Sequence, residues 1–258
     1  MDNALIGYTG FLGSNLKKQN DFNFFYNSKN INEIKNKSFD LIVCCAPNAE
    51  KWFANKEPLK DLNNIKNLIE NLNNVTCKKF ILLSTVDVFY NPIDVNENTL
   101  IDEKKLNPYG FNRRLFEKFV QNNFNNHLII RLPALIGNGL KKNAIFDLHN
   151  NNQISKINNK SIFQFYPVHI LWKNIEIANK SKLKIIHFNS EPITISEIAS
   201  KCFNMTLKHE VNTIFQNYDM KSLHVNIFNK YDNFYQLSKD EIISSINYYI
   251  QNEPLKIF

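Results

Sequence analysis

Short apolar runs alternate with amphipathic stretches along the first half of the chain. A continuous apolar run predicts a strand buried on both faces of a parallel sheet, whereas apolar residues three or four positions apart predict a helix packed on that sheet. Strands are expected over 4–6, 22–26, 39–46, 79–83 and 127–132, and helices from Phe11 and over 61–73 and 107–124. This alternation predicts the α/β fold class with a doubly wound parallel sheet.

The pattern changes after Gly137, where aromatic and asparagine-rich stretches become frequent. Helices are expected over 140–151, 195–203 and 239–251, with a strand over 184–188. We therefore expect a first lobe of residues 1–136, to which 170–200 return. A smaller second lobe is expected to be built from 137–169 and 201–258.

Composition excludes several classes of protein. The chain has 258 residues, of which 43% are apolar and 13% aromatic, which is too apolar for a disordered protein. No apolar window reaches the roughly 18 residues of a transmembrane helix. The first six residues lack the basic region and the apolar core of a signal peptide. These observations predict a cytoplasmic protein without a membrane partner.

Cysteine, histidine and lysine show no clustering that would indicate metal or nucleic acid. The four cysteines form no C-x-x-C pair and the six histidines have no metal-binding spacing, so we expect reduced thiols and no metal. The net charge is +7, but the lysines are spread along the chain and interleaved with asparagines. This predicts a basic surface rather than a nucleic-acid partner. A site that accepts phosphates is the alternative.

Glycine is scarce, and half of it lies in the first thirteen residues. There are six glycines, against about 18 expected from average usage. Gly7, Gly10 and Gly13 are spaced G-x-x-G-x-x-G, after an apolar strand and before a helix. This arrangement predicts a turn whose N–H groups hold a pyrophosphate. The candidate cofactor-binding residues of the turn are Gly7, Thr9, Gly10, Phe11, Leu12 and Gly13.

The end of the second expected strand bears on the choice of cofactor. An acidic residue there would bind the ribose 2′-hydroxyl of NAD. The chain instead has Asn27, Ser28 and Lys29, which can hydrogen-bond or neutralise a 2′-phosphate. The sequence therefore favours NADP over NAD.

Three residues suggest acid–base chemistry. Thr85 follows the strand 79–83, at the edge where α/β sheets bind ligands. Tyr109 and Arg113 are four residues apart and share a helix face. A tyrosine with its ordinary pKa of about 10 is a poor acid or base at neutral pH, but a neighbouring cation stabilises the phenolate and lowers that pKa. Thr85 can hold a substrate oxygen while Tyr109 gives or takes the proton.

At these residues the sequence resembles the extended short-chain dehydrogenase/reductase family, also called the NAD-dependent epimerase/dehydratase family. The resemblance is strongest over about 1–140. The matching motifs are Gly7-x-x-Gly10-x-x-Gly13, Ser84-Thr85-x-x-Val88-Phe89, Tyr109-x-x-x-Arg113, the run 131–137 and the later segment 191–199.

The resemblance implies a Rossmann-type lobe that binds NAD(P) and a C-terminal lobe that binds a nucleotide-sugar. It implies that Tyr109 is the proton donor or acceptor and that Thr85 is its hydroxyl partner. It also implies that Arg113 contacts the nicotinamide ribose and tunes Tyr109. Further residues implied to line the cofactor are Ala46, Pro47, Leu132 and Ala134. Homodimers through the helices at 61–73 and 109–124 are common in families of this kind.

The expected reaction is reduction of a 4-keto nucleotide-sugar by NADPH. Dehydratases of the family carry an Asp-Glu pair after the threonine, where this chain has Val86 and Asp87. The pattern Ser-Thr-x-x-Val-Phe is similar to the dTDP-4-dehydrorhamnose reductase branch. A 4-epimerase with tightly bound nicotinamide is the alternative. Because the family has lysine where this chain has Arg113, an NADP-binding sensor or scaffold with little turnover is a third reading.

Residues expected at the sugar-nucleotide come from several segments. Lys51 and Trp52 are expected either to reach a ligand or to cover the sheet edge. The substrate candidates are Asp87, Lys141, Lys142, Asn143, Gln164 and Tyr166.

Overall fold

Strands and helices alternate through much of the chain, which the computed structural model describes over residues 1–208, 213–230 and 233–256. The strands of these residues are β1 (Asn3–Ile6), β2 (Phe24–Tyr26), β3 (Ser38–Cys44), β4 (Thr76–Thr85), β5 (Ile93–Val95), β6 (His127–Leu132), β7 (Ala134–Ile136), β8 (Ile162–Phe163), β9 (Phe165–Pro167), β10 (Ile185–His187), β11 (Ile193–Thr194) and β12 (Asp219–Met220). The helices are α1 (Phe11–Leu16), α2 (Lys51–Lys56), α3 (Pro58–Leu72), α4 (Pro108–Asn123), α5 (Ala144–His149), α6 (Leu171–Lys180), α7 (Ile195–Phe203) and α8 (Lys239–Asn252).

The main sheet has six strands in the order β10-β6-β4-β3-β1-β2. The pairings of β1 with β2, β1 with β3, β3 with β4, and β4 with β6 are parallel. β2 lies on one side of β1, and β3 followed by β4 lies on the other side. The direction in which the chain adds strands to the sheet therefore reverses between β1 and β3. The predicted α/β fold with a doubly wound parallel sheet is confirmed. In such sheets ligands bind beyond the carboxyl ends of the strands at the reversal.

The strands of the sheet are apolar because both faces are covered. Every residue of β6 is buried, and Phe80 to Leu82 of β4 are 2% exposed or less. Phe80 stacks on Phe124, which follows α4, with 4.3 Å between ring centroids. Continuous apolar runs therefore identified the strands, as expected for a sheet buried on both sides.

Side-chain caps define where several helices begin. Asn107 caps α4 by accepting a hydrogen bond from the N–H of Gly110 at 2.9 Å, and Pro108 occupies the first turn. Capping boxes begin α7 and α8, formed by Thr194 with Glu197 and by Ser238 with Glu241. Each box satisfies N–H groups that have no partner inside the helix.

The chain divides into two compact units. Unit 1 comprises Met1–Tyr90, Asn98–Leu132 and Leu171–Ile186, and unit 2 comprises Asn91–Glu97, Pro133–Ile170 and His187–Phe258. Unit 2 contains the paired strands β7 with β9, β8 with β11, and β5 with β12. This division places residues 187–200 in unit 2, whereas the sequence analysis expected all of 170–200 to return to the first lobe.

Some elements differ from those expected. The helix expected over 140–151 begins at Ala144, because the Asn143 side chain accepts a hydrogen bond from the N–H of Phe146 at 3.1 Å and caps it. The helices α2 and α6 were not expected. In the described part of the chain, no helix has the length and apolar character needed to cross a membrane.

Candidate active site

A glycine turn lies at the carboxyl end of β1. Gly7 has φ +82°, which favours glycine, and a Cβ there would lie 3.1 Å from the backbone nitrogen of Ala46. A Cβ on Gly13 would overlap the carbonyl oxygen of Gly7, so only glycine lets α1 pack directly on the turn. A Cβ on Gly10 would approach Gly7 O at 3.4 Å and no other atom so closely. Gly7 and Gly13 are thus required by the fold, whereas Gly10 lies on the exposed side of the turn.

The turn leads into the helix α1 without a side-chain cap. The first N–H groups of a helix have no partner inside the helix and suit an anion such as a pyrophosphate. Thr9 is exposed, and Phe11 and Leu12 are half-buried at the helix start. The close approach of Gly7 to Ala46 places Pro47 near the same turn, at the reversal between β1 and β3. These residues fit the cofactor cradle expected from the sequence.

The end of β2 forms a tight polar turn. Asn27 Oδ1 accepts the N–H of Lys29 at 2.8 Å, and Asn30 Oδ1 accepts the N–H of Asn27 at 2.8 Å. These hydrogen bonds orient the turn and leave the side chains of Ser28 and Lys29 exposed. A hydroxyl and an ammonium group are therefore presented beyond the strand end, where a ribose 2′-phosphate is expected.

Thr85 and Tyr109 lie together, as the sequence analysis expected. Thr85 ends β4, and Tyr109, which is 5% exposed, is in the first turn of α4, with its phenol near enough to the Thr85 side chain for that side chain to lower its pKa. Gly110 allows this proximity, because a Cβ there would overlap the carbonyl oxygen of Asp87. Leu132 is the register partner of Thr85 on β6.

Arg113 forms hydrogen bonds with other residues of the protein. Its Cζ lies 4.2 Å from the centroid of the Tyr109 ring. Nη1 donates to the carboxylate of Asp61, and Nη2 donates to the carbonyl of Asn48. Asn112 Nδ2 donates to the same Asp61 oxygen at 2.8 Å. Each terminal nitrogen of Arg113 thus binds a protein oxygen, and a contact of the remaining N–H groups with the nicotinamide ribose stays a prediction.

The electrostatic surroundings favour a protonated Tyr109. Burial raises the pKa of Tyr109 above its ordinary value and outweighs Arg113, which lowers it. Asp87 raises this pKa further, whereas the Thr85 hydrogen bond and Lys51 lower it. The sequence analysis expected a lowered pKa, because it considered the cation without the depth of burial. At neutral pH the Tyr109 phenol is thus protonated.

The short helix α2 contributes two residues that the sequence analysis did not assign to the catalytic centre. Lys51 Nζ lies 2.6 Å from Asp87 Oδ1, and Asn55 Oδ1 accepts the N–H of Tyr109 at 3.0 Å. Asp87 is joined to Thr85, since the N–H of Asp87 donates to Thr85 Oγ1 at 3.1 Å. The available signal was the position of Lys51 soon after the β3 end at the reversal of the sheet.

A buried ionic network fastens α4 to the sheet below the candidate site. Glu117, which is fully buried, accepts hydrogen bonds from Arg131 Nε at 3.0 Å and Nη2 at 2.9 Å. It also accepts from Ser84 Oγ at 2.6 Å and from Arg114 Nη1 at 2.9 Å. Because Ser84 precedes Thr85 and α4 carries Tyr109, this network fixes the two elements that hold the reacting side chains.

The substrate candidates of unit 2 have different surroundings. Lys141 and Lys142 are exposed, whereas Asn143 caps α5 and also donates to Leu135 O at 3.0 Å. Gln164 is 1% exposed, and its amide bonds both backbone groups of Met220 as well as Ser190 O.

Two of the substrate-binding residues expected from the sequence, Gln164 and Tyr166, are packed inside unit 2. Tyr166 is fully buried and stacks on Phe188 with ring centroids 5.3 Å apart. The pocket roles expected for Gln164 and Tyr166 do not fit these positions, because both side chains are packed inside unit 2. Ala134 begins β7 of the same unit and is half-buried.

Comparison with known proteins gives matches among solved structures only. No protein-family model matches the chain, and no curated protein sequence matches it. A dTDP-4-dehydrorhamnose reductase from Bacillus anthracis in complex with NADP superimposes with a TM-score of 0.74 at 17% identity, covering 97% of this chain and 98% of that chain. The same enzyme from Yersinia enterocolitica gives 0.71 at 19%, covering 97% and 99%. A UDP-N-acetylglucosamine 4-epimerase from Methanobrevibacter ruminantium gives 0.70 at 15%, covering 97% of both chains.

The chain therefore shares the fold of these three solved structures. In this fold, the polar centre of Thr85, Tyr109 and Asp87 lies at the carboxyl end of β4, and the glycine turn lies at the carboxyl end of β1. Both therefore occupy the edge of a doubly wound sheet at which ligands bind.

Proposed function

We propose that this chain is an NAD(P)-dependent oxidoreductase that reduces a 4-keto nucleotide-sugar. The observation that carries the proposal is the buried Tyr109, which lies beside Thr85 at the ligand-binding edge of the sheet. A tyrosine that is protonated at neutral pH suits the donor role in a reduction. The fold shared with dTDP-4-dehydrorhamnose reductases supports the same reaction class.

The proposed cofactor is NADP. The turn from Gly7 to Gly13 would hold the pyrophosphate, and Ser28 with Lys29 would meet the 2′-phosphate. Ala46, Pro47 and Leu132 would line the cofactor, and Ala134 stays a prediction from the resemblance. When bound, the reduced nicotinamide supplies a hydride to the keto carbon.

The residues of unit 1 would carry the proton chemistry. Thr85 would hydrogen-bond the keto oxygen and hold it near the Tyr109 phenol. Tyr109 would then donate its proton to that oxygen as the carbonyl becomes a hydroxyl, so that the phenol O–H bond breaks and the product O–H bond forms. Burial of the phenol keeps competing water away from this transfer.

The substrate contacts, the assembly and the location of the protein remain predictions. Lys141 and Lys142 are exposed cations that we propose meet the diphosphate of the nucleotide-sugar. A homodimer through α3 and α4 and a cytoplasmic location are also expected.

A 4-epimerase is the second candidate, favoured by the fold match to a UDP-N-acetylglucosamine 4-epimerase. The same Thr85 and Tyr109 would serve oxidation followed by return of the hydride. The sensor or scaffold reading stays a third candidate, because Arg113, which stands where the family has lysine, is paired with Asp61.

Nicotinamide binding tests the proposed function. The purified protein is first tested for retained nicotinamide and then titrated with NADPH and NADH, with nicotinamide fluorescence as the readout. A reductase is expected to be isolated empty, to bind NADPH more tightly than NADH, and to oxidise NADPH when 4-keto nucleotide-sugars are supplied. Retained nicotinamide would favour the epimerase. Failure to bind either nucleotide would overturn both readings.

Ser28→Asp is expected to weaken NADPH binding relative to NADH by about tenfold or more. The new carboxylate would face the 2′-phosphate, and placing two negative charges together costs several kcal/mol of binding free energy. A loss of about 1.4 kcal/mol already raises the dissociation constant tenfold. The ratio of the two dissociation constants is the measurement. Asn64→Asp adds the same charge on an exposed position of α3 and should leave the ratio unchanged. An unchanged ratio in Ser28→Asp would place the 2′-phosphate elsewhere.

A further inference from the structure

A line of polar side chains runs from the Tyr109 phenol to a partly exposed lysine. Thr85 lies beside the phenol and lowers its pKa, and Thr85 Oγ1 lies 3.5 Å from Asp87 Oδ2. The other oxygen of Asp87 lies 2.6 Å from Lys51 Nζ, and the Lys51 side chain is 38% exposed. One carboxylate thus connects the hydroxyl partner of Tyr109 to an ammonium group on α2.

The cation on α4 is held differently. Arg113 lies over the Tyr109 ring, and both of its terminal nitrogens bind Asp61 and Asn48. Its charge is paired with the buried Asp61 carboxylate, and among the charged groups it has the largest effect on the pKa of the phenol. Lys51 is the second cation in this environment, and its partner Asp87 is the anion nearest to the Thr85 hydroxyl.

Resting on the proposed function, we propose that Lys51 and Asp87 form a positioning pair for Tyr109. Asp87 orients the Thr85 hydroxyl, and Lys51 cancels the negative charge that Asp87 would otherwise place beside the phenol. The pair acts through Thr85 and the local electrostatic field, and it needs no contact with the substrate.

Asp87 and Lys51 have opposite effects on the pKa of Tyr109. Arg113 faces it from its own helix, Thr85 from β4, Asp87 from the turn after β4, and Lys51 from α2. Asp87 raises the pKa of Tyr109 and Lys51 lowers it. Removing the lysine should therefore raise this pKa, and removing the carboxylate should lower it. The opposite signs separate a charge-balancing pair from a merely structural contact.

The test measures ionisation of Tyr109 in Lys51→Met, Asp87→Asn and the double variant. The protein is labelled with ¹³C-tyrosine, the Tyr109 resonance is identified with Tyr109→Phe, and its shift is followed from about pH 9 to 12, because burial raises this pKa above the ordinary tyrosine value of about 10. At a given pH, Lys51→Met should show less tyrosinate than the wild type and Asp87→Asn more, with the larger change in Asp87→Asn because Asp87 acts on this pKa more strongly than Lys51 does. The double variant should lie between the two single variants.

Two controls keep the result specific. Lys51→Arg retains the charge and should titrate like the wild type, and Lys56→Met removes an exposed lysine from the other end of α2 and should have no effect. Shifts of the same sign in Lys51→Met and Asp87→Asn, or no shift in either folded variant, would overturn the positioning role. Because the titration needs neither cofactor nor substrate, it decides this role even when the nicotinamide titration overturns the proposed function.

Discussion

Tyr109→Phe is expected to lower turnover by about 10²–10⁴-fold, because it removes the proton donor. The rest of the site should persist. The ring that packs under Arg113 is retained, and the hydrogen bond from the N–H of residue 109 to Asn55 does not use the phenol. The measurement is kcat with NADPH and a 4-keto nucleotide-sugar, together with the dissociation constant for NADPH and the melting temperature.

Tyr90→Phe is the matched control, because it removes a phenol hydroxyl that is 65% exposed, and its kcat should equal that of the wild type. A Tyr109→Phe protein that retains full kcat would contradict the proposed mechanism. A variant that loses NADPH affinity in parallel with kcat would contradict the separation of proton donation from cofactor binding.

The second large effect is expected at Glu117. Glu117→Gln should lower the free energy of unfolding by about 3–5 kcal/mol, because it leaves the guanidinium of the buried Arg131 without its anion. Burial alone would raise the pKa of Glu117, but Arg131, Ser84 and Arg114 lower it below its ordinary value. The carboxylate therefore stabilises the fold above the ordinary pKa, and this contribution is lost as the pH falls through the lowered pKa. Urea unfolding at neutral and acidic pH measures both the loss and its decline in acid.

The paired variant separates charge imbalance from lost packing. Replacing both ends of the ion pair, as Glu117→Leu with Arg131→Met, should recover much of the stability, because an apolar pair of similar volume is often neutral or better in a core. Glu176→Gln changes an exposed glutamate on α6 and should alter stability by no more than about 0.5 kcal/mol. A Glu117→Gln protein as stable as the wild type, or a double variant no better than the single one, would argue against this account.

Much of the fold was predictable because its signals are local. The strand expected over 127–132 coincides with β6, whose residues are all buried. The helix α7 also has its expected bounds, since Thr194 and Glu197 form a capping box where the apolar period begins. The helix α2 was not predicted, because it has only six residues and two of them are held by distant partners. Lys51 pairs with Asp87, and Asn55 binds the backbone of Tyr109.

The parts of the candidate site that lie in short, continuous sequence motifs were predictable. The glycine turn and the pairing of Thr85 with Tyr109 follow from short motifs on known elements. The partner of Arg113 was not visible, because Asp61 is 52 residues away in sequence and reads as an ordinary acidic residue near a helix start. Gln164 had the same difficulty, since the groups that it binds belong to residues 190 and 220. The depth at which Tyr109 is buried, which sets the direction of its pKa shift, also depends on the assembled fold.

The buried pair of Asp61 and Arg113 has a consequence for how this protein can evolve. Losing either partner alone leaves an uncompensated charge in the interior and costs about 3–5 kcal/mol, a large share of the roughly 5–15 kcal/mol that keeps a protein folded. A lineage that exchanged Arg113 for an uncharged residue would thus pass through a poorly folded ancestor unless position 61 changed with it. Among relatives of this chain we therefore expect loss of the charge at one position to accompany its loss at the other.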